Sequence, residues 1–523
     1  MKPVRRLNAE LDERLGTQSF LTSAFDHIFP DNWSFMLGEV AFYCFILLVV
    51  TGVYLTMFFD PSDTQVVYHG TYGPLRGQSM SMAYESTVRL SLDVKAGLLF
   101  RQVHHWAADL FLAAICLHLM RIFFSGAFRK PRDINWMVGV TLLLVSLFVG
   151  FTGYSLPDDL LSGLGLRIAY SIAESVPVIG GWLTSLFFGG QFPSDQLTHR
   201  LFIAHVLLGP GIIAALLAVH LSVLWRQKHT QFPGPGRSDK RLVGSQLWPT
   251  YAARSLSLLC AVAGTVALLG GLAQINPIWL YGPYTPESAS AAAQPDWYIL
   301  WLEGSLRLLP GLRVHLWGYE ISEVFWAAVF IPLACFALMY AYPALERWWT
   351  GDRFSHNVLD RPRDRPGRTA LGVAAVTAAL VLTVAGAQDV LAEYLQVSQP
   401  PVTYALRGLV ILLPALTGVT AWKICRDLRA PKPVEMGEEP QGKSAEAKPS
   451  PWRYLPDRAR WEPGPEAEQP AARTGLRGWV AAAAGATGGL VVGLAAGRRR
   501  RPPPPDPDAG TVVDERVPEE RSP

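Results

Sequence analysis

The chain has 523 residues, half of them apolar, and charged residues make up only 17%, against roughly 25% in an ordinary soluble protein. The charges sit in blocks separated by long uncharged runs. Such runs exclude an ordinary soluble domain, because about 18 nearly uncharged apolar residues read as a membrane span. The net charge of +3 says little by itself and gives no ground for a nucleic-acid partner; the distribution of charge along the chain carries the information.

In chain order, residues 1–34 form a leader. Its stretch LDERLGTQSFLTSAFDHIF is amphipathic and reads as a helix lying on the membrane surface, although an ordinary polar leader fits equally. No cleavable signal peptide is apparent, since the first apolar run starts near Phe35 and is too long and too late for one. Eight spans follow, at about 35–59, 96–123, 136–156, 200–225, 252–275, 324–342, 370–387 and 406–425. The expected fold is therefore an all-α membrane protein of eight transmembrane helices. The first four spans (35–232 with their loops) form a four-helix bundle, and the last four (233–426) form a second region. Residues 427–523 are rich in Pro, Glu, Lys and Arg and read as a largely disordered tail. Its apolar stretch 478–497 is mostly Ala and Gly; spanning would carry Arg498–Arg501 outward, so it is expected not to span.

Lys and Arg fix the expected orientation. The leader, the loop with Arg129, Lys130 and Arg132, the loop with Arg226, Lys228, Arg237, Lys240, Arg241 and Arg254, and the loop with Arg353, Arg361, Arg363, Arg365 and Arg368 all fall on one side when eight spans alternate. That side is cytoplasmic by the positive-inside rule, with both termini on it. The five cysteines (Cys44, Cys116, Cys260, Cys335 and Cys425) form no CxxC or CxxCH, which argues against covalent c-type haem, zinc or an iron–sulfur cluster.

Histidines carry the chemistry. The second span holds His104 and His118, 14 residues apart, and the fourth holds His205 and His220, 15 apart. At about 100° and 1.5 Å per residue, each pair returns to nearly one helix face and is separated by roughly 20 Å along the axis. The two spans run in the same direction, so His104 faces His205 near the outer side and His118 faces His220 near the inner side. Paired imidazoles on facing helices of a bundle can ligate two six-coordinate haem irons. The plain alternative is interhelical hydrogen bonding, but four paired ionisable groups in a membrane are costly and usually functional. Gly38 and Gly52 in the first span, and Gly139 and Gly153 in the third, repeat the 14-residue separation. Glycine at haem depth lets a flat macrocycle lie against the backbone; small-residue helix packing is the alternative. Arg101 and Arg121 each lie one turn beyond a histidine toward the nearer surface, where each can pair with haem propionates or simply reach the interface. His105 points about 100° away from His104 and reads as a packing or hydrogen-bonding group. His27, His69, His229, His315 and His356 fall in loops and are not ligand candidates.

These residues resemble a family. RQVHHWAADLFLAAICLHLMR looks like the haem-bearing second helix of cytochrome b, GFTGYSLPDD like its third helix and quinol-site turn, and HRLFIAHVLLGPGIIAALLAVHL like its fourth; QPDWYILWLEG resembles the PEWY region of the quinol-oxidation site. The resemblance covers about residues 30–425. The undivided chain, the long tail, PDWY and HNVLDRPRDRPGRTALG look like the cytochrome b subunit of the actinobacterial cytochrome bc complex, although the 15-residue separation resembles the chloroplast type.

The resemblance implies a quinol:cytochrome c oxidoreductase subunit in a bacterial plasma membrane. It holds two non-covalent b haems, oxidises a quinol (menaquinol) at an outer site, reduces quinone at an inner one, and is coupled to proton translocation. The implied partners are a Rieske iron–sulfur subunit, a dihaem cytochrome c subunit, a haem-copper oxidase in a supercomplex, and a second copy of the complex. Asp296 stands where most of the family has Glu. It keeps a carboxylate to accept a quinol proton, with a helix N-cap as the other reading. Glu303, about two helical turns on, can share that role, and Tyr298 can hydrogen-bond quinol; Tyr154 and Pro157 can line the same pocket. Trp33, Lys228 and Arg254 lie at the inner surface without an assigned role. An alternative function is a dihaem membrane anchor of a dehydrogenase or hydrogenase, which gives no reason for PDWY, the SLPDD turn or the last four spans. A transporter with buried histidines is a third, and it predicts no haem spectrum.

Overall fold

A computed structural model of the chain describes residues 27–287, 294–316 and 318–429, a few isolated positions before and between them, and two short strands in the tail. Eight helices are long and apolar enough to cross a membrane: α1 (Trp33–Thr56), α2 (Gly97–Phe124), α3 (Asp133–Ser155), α5 (Leu197–Gln227), α6 (Leu247–Leu272), α8 (Glu323–Thr350), α9 (Pro366–Gly386) and α10 (Gln399–Arg429). Between them lie two amphipathic helices, α4 (Leu160–Glu174) and α7 (Trp297–Leu308). All eight expected spans are present. The sixth and eighth are longer than their apolar runs, because each helix continues through polar turns such as LERWWT and QPPVTY.

The buried core lies inside α1, α2, α3, α5 and α6. Ala107, Phe111 and Leu112 of α2 pack with Cys44, Leu142, Leu143, Ile213 and Val266. On α2 these residues fall between His104 and His118, so an apolar layer separates the two histidine levels. Helix α7 seats closely on α9: a Cβ at Gly304 would strike the Leu382 carbonyl, and one at Gly386 would strike the Leu300 carbonyl. That contact fixes the start of α7, where Asp296 and Tyr298 stand.

The loops at the Lys228 end are pinned by arginines. Arg132 donates to the carbonyls of His356, Gln227 and Lys228 and to Asn357 Oδ1 at 2.8–3.0 Å. Arg368 is buried between Glu346 and Asp360. At the other end, Asp159 caps α4 by accepting from Leu161 N and Ser162 N.

The chain divides into two units, Met1–Lys432 and Pro433–Pro523. In the second, Trp452–Leu455 pairs antiparallel with Arg460–Pro463. The expected surface helix of the leader and the Ala/Gly stretch 478–497 lie almost wholly outside the described residues.

Candidate functional site

The four spans bring the four histidines into two pairs. His104 and His205 face each other with ring centroids 6.2 Å apart and planes at 70°. A coordinated imidazole nitrogen stands roughly 2 Å from its metal; adding about 1 Å from nitrogen to ring centre on each side gives about 6 Å, so one ion fits between the rings. At the other level His118 stands against Gly38 and His220 against Gly139.

The His104–His205 pair is oriented by hydrogen bonds. Thr51 Oγ1 donates to the Leu47 carbonyl at 2.7 Å and accepts from His104 Nδ1 at 2.9 Å. His205 Nδ1 donates to the Val149 carbonyl at 2.9 Å, with Thr152 Oγ1 at 3.3 Å. Both Nδ1 atoms thereby carry the proton, and both Nε2 lone pairs are left for a metal. Sequence reading missed Thr51 and Thr152, although the signal was there: a Thr-Gly dipeptide at residues 51–52 and again at 152–153.

Each of the four glycines stands against one imidazole. A Cβ would come 3.2 Å from His118 at Gly38, 3.3 Å from His104 at Gly52 and 3.7 Å from His220 at Gly139, and would overlap the His205 ring at Gly153. What the glycines make room for in this structure is therefore the ligand ring itself. His205 also sits in a π-helical turn, Ala204–Leu208, just before Gly209-Pro210. Pro210 lacks an N–H and loosens the preceding turn, and the wide turn absorbs the extra residue between His205 and His220.

The arginines fit an anionic group beside each pair. Arg121 has Nε and Nη2 buried without a partner, and its guanidinium lies 4.0 Å from the Phe35 ring centre. Arg101 is buried, gives one hydrogen bond to the Asn276 carbonyl at 3.0 Å and leaves Nε unpaired. Buried guanidinium donors without acceptors are expensive, and a carboxylate-bearing cofactor would satisfy them.

The His104–His205 pair opens into a cavity of about 290 Å³ lined by Gly52, His104, Gly153, His205 and Arg101 and also by Tyr154, Pro157, Asp296 and Tyr298. Asp296 occupies the N-cap position of α7, yet its side chain makes no capping bond. The carboxylate instead takes His105 Nε2 at 3.1 and 3.2 Å and the Tyr298 hydroxyl at 3.0 Å. His105 is thus a hydrogen-bonding group, as its direction implied, but its partner lies 191 residues away. Asp109, which the sequence did not single out, completes a cluster with His105 and Asp296 whose ligand-type atoms lie within 4.8 Å of one another.

Glu303 does not line this cavity. It pairs with Arg307, which also holds Asp389 at 3.0 Å, and burial raises its carboxyl while Arg307 opposes the rise. Burial, with Asp296 beside it, pushes the Tyr298 hydroxyl well above its ordinary value. In the SLPDD turn Asp158 has φ +54° and accepts from Ser81 Oγ at 2.6 Å. Burial pushes its carboxyl up to about 7.

Eight apolar helices with paired histidines and a largely apolar cavity at one level, with Asp296 and Tyr298 in its wall, define a membrane-embedded redox subunit of the b-cytochrome class. Residues 109–283 match the family model "Cytochrome b(N-terminal)/b6/petB". The chain is 48% identical to the cytochrome bc1 complex cytochrome b subunit of Mycobacterium leprae, over 80% of this chain and 76% of that one. It is 49% identical to the subunit of the same name from Mycobacterium tuberculosis, over 79% and 75%, and 46% identical to that of Streptomyces coelicolor, over 80% and 77%. A solved structure titled "Hyperthermophilic respiratory Complex III" shares the fold with TM-score 0.61 at 20% identity, over 79% of this chain and 99% of that one. The protein belongs to the family of cytochrome b subunits of cytochrome bc1 complexes.

Proposed function

We propose that this subunit holds two non-covalent b haems, His104 with His205 and His118 with His220, and oxidises menaquinol in the cavity beside the first pair. The observation that carries the reading is the shared cavity: Asp296, Tyr298 and Tyr154 line the same space as His104 and His205. When bound, the haems supply a one-electron path along the bundle from one level to the other. The chain's own groups do the rest. Arg101 and Arg121 hold the propionates. Asp296, freed from capping and steadied by His105 and Tyr298, accepts a proton from the quinol hydroxyl. One electron leaves to a Rieske partner, and the other travels through the bundle to a quinone reduced at the Lys228 end.

By the distribution of Lys and Arg, that end faces the cytoplasm and the Asp296 cavity faces outward. Protons therefore leave outside and enter inside, so turnover charges the membrane. A dihaem cytochrome c subunit, a haem-copper oxidase in a supercomplex and a second copy of the complex are the further partners this reading carries. The testing experiment is a reduced-minus-oxidised spectrum with haem quantification on the purified complex, alongside extraction of its quinone. Two b haems per chain and bound menaquinone are expected. A single haem, or none, overturns the reading.

A further inference from the structure

The Lys228 end carries a carboxylate that the function above does not use. Glu39 is the sole charged residue of α1. A carboxylate inside a span is costly and needs partners. Among the described residues its partners are three hydroxyls and no cation. Ser255 Oγ donates to Oε2 at 2.5 Å, the Tyr43 hydroxyl reaches Oε2 at 3.5 Å and Ser255 Oγ at 2.5 Å, and the Tyr251 hydroxyl donates to Oε1. Tyr43 comes from α1, and Tyr251 and Ser255 come from the start of α6. The neighbouring cation, Arg254, is taken by Asp31.

One feature ties this cluster to the inner histidine pair, and a group of aromatic rings flanks it. Gly38, the residue before Glu39, stands against His118. The Tyr251 ring stacks on Phe29 at 4.0 Å, Phe29 meets His229 at 4.4 Å, and His27 stacks on Trp225 at 4.3 Å while lying 5.8 Å from His229. His229 Nδ1 and His27 Nε2 are buried without partners. Burial, with His27 nearby, pushes His229 down to about 4, and burial lowers His27. Each ring thus packs against an aromatic neighbour and keeps one nitrogen without a hydrogen bond.

Both carboxylate oxygens accept from hydroxyls of α6, which an amide with its single acceptor oxygen could not do. Three hydroxyls that can each donate or accept converge on Glu39, and Gly38 beside it stands against His118, so a proton held on this carboxylate sits at the His118 level. We propose that Glu39, held by Tyr43, Tyr251 and Ser255, is the proton-relay carboxylate for quinone reduction at this end. Quinone takes two electrons by way of the bundle and two protons, both drawn from the water at this end, to become quinol; one of the two passes through Glu39 and the Tyr251 hydroxyl, and Glu39 is reprotonated from the aqueous side. The proposal rests on the inner-site reading above.

The test uses the intact complex with Glu39→Gln, Glu39→Asp and Tyr251→Phe, quinol oxidation at the Asp296 cavity being blocked by an inhibitor. Menaquinone is added to the pre-reduced complex, and oxidation of the inner haem is followed across pH. Glu39→Gln is expected to slow it by about 10²-fold, the scale of a lost proton-transfer group, and to flatten its pH profile. Glu39→Asp is expected to recover part of the rate. The carboxyl C=O band in the infrared difference spectrum on reduction should vanish in Glu39→Gln. If the parental complex shows no such oxidation, the inner-site reading fails and takes the relay with it. If the parental complex reacts and Glu39→Gln matches it in rate, pH profile and infrared spectrum, the relay alone is overturned. Should Glu39→Gln fail to assemble, Tyr251→Phe decides: it keeps the ring stacking, so a parental rate there overturns the relay.

Discussion

A hydrogen bond at one imidazole nitrogen settles which nitrogen is left for a metal, and the pair beside Asp296 shows it. His104 and His205 spend Nδ1 on Thr51 and on the Val149 carbonyl, so only Nε2 remains for iron. Replacing His118 by Leu is expected to abolish the haem at the Lys228 end and leave the other at least partly assembled, because the apolar layer from Ala107 to Leu112 separates the two levels. A haem-to-protein ratio that stays at the parental value in that variant rules out the ligand assignment. Asp296→Asn should slow quinol oxidation by roughly 10²-fold, the ordinary scale of general base catalysis, with normal haem spectra because no ligand is touched. Glu303→Gln should have the smaller effect, since Arg307 occupies that carboxylate and the cavity does not reach it; a steady-state comparison of the two variants that ranks them in the reverse order refutes this. The histidines were legible because two fixed spacings repeat on parallel helices. The Asp296–His105 pair was not, because no local pattern links residues so far apart in the chain.

At the scale of the helix, the order and number of spans followed from apolar runs and the spacing of charges, whereas the contacts made by each glycine depended on how α1, α2, α3 and α5 are rotated against one another. The four glycine positions are not equivalent. A methyl group at Gly139 meets His220 at ordinary contact distance, while one at Gly153 overlaps the His205 ring. Gly139→Ala should therefore keep the parental haem content, and Gly153→Ala should lose most of the haem at the Asp296 level by turning His205 away from the axis. Pyridine haemochrome assays on the two variants measure this, and equal retention refutes it. The π-helical turn at Ala204–Leu208 is another feature that spacing alone concealed. The sequence shows a 15-residue separation and the Gly-Pro-Gly that follows the turn, but only the backbone shows how the extra residue is taken up.

For the molecule as a whole, the arginines that set its expected orientation also tie its loops together. Arg132 joins the α2–α3 loop to the end of α5 and to Asn357, and Arg368 joins α9 to Glu346 of α8. These cross-connections, the glycine-mediated seating of α7 on α9 and the buried core all fall within Met1–Lys432. Both histidine pairs, their glycines, both arginines and the Asp296 cavity fall there too. The composition of residues 427–523 cannot bury a core. A chain ended after Arg429 is thus expected to insert in the membrane and to bind both haems at the parental haem-to-protein ratio. The measurement is a reduced-minus-oxidised spectrum of the truncated subunit purified with the rest of its complex. Loss of both haems would show that the tail supports the bundle directly. Normal haems with loss of a partner subunit would instead place the tail's role in assembly.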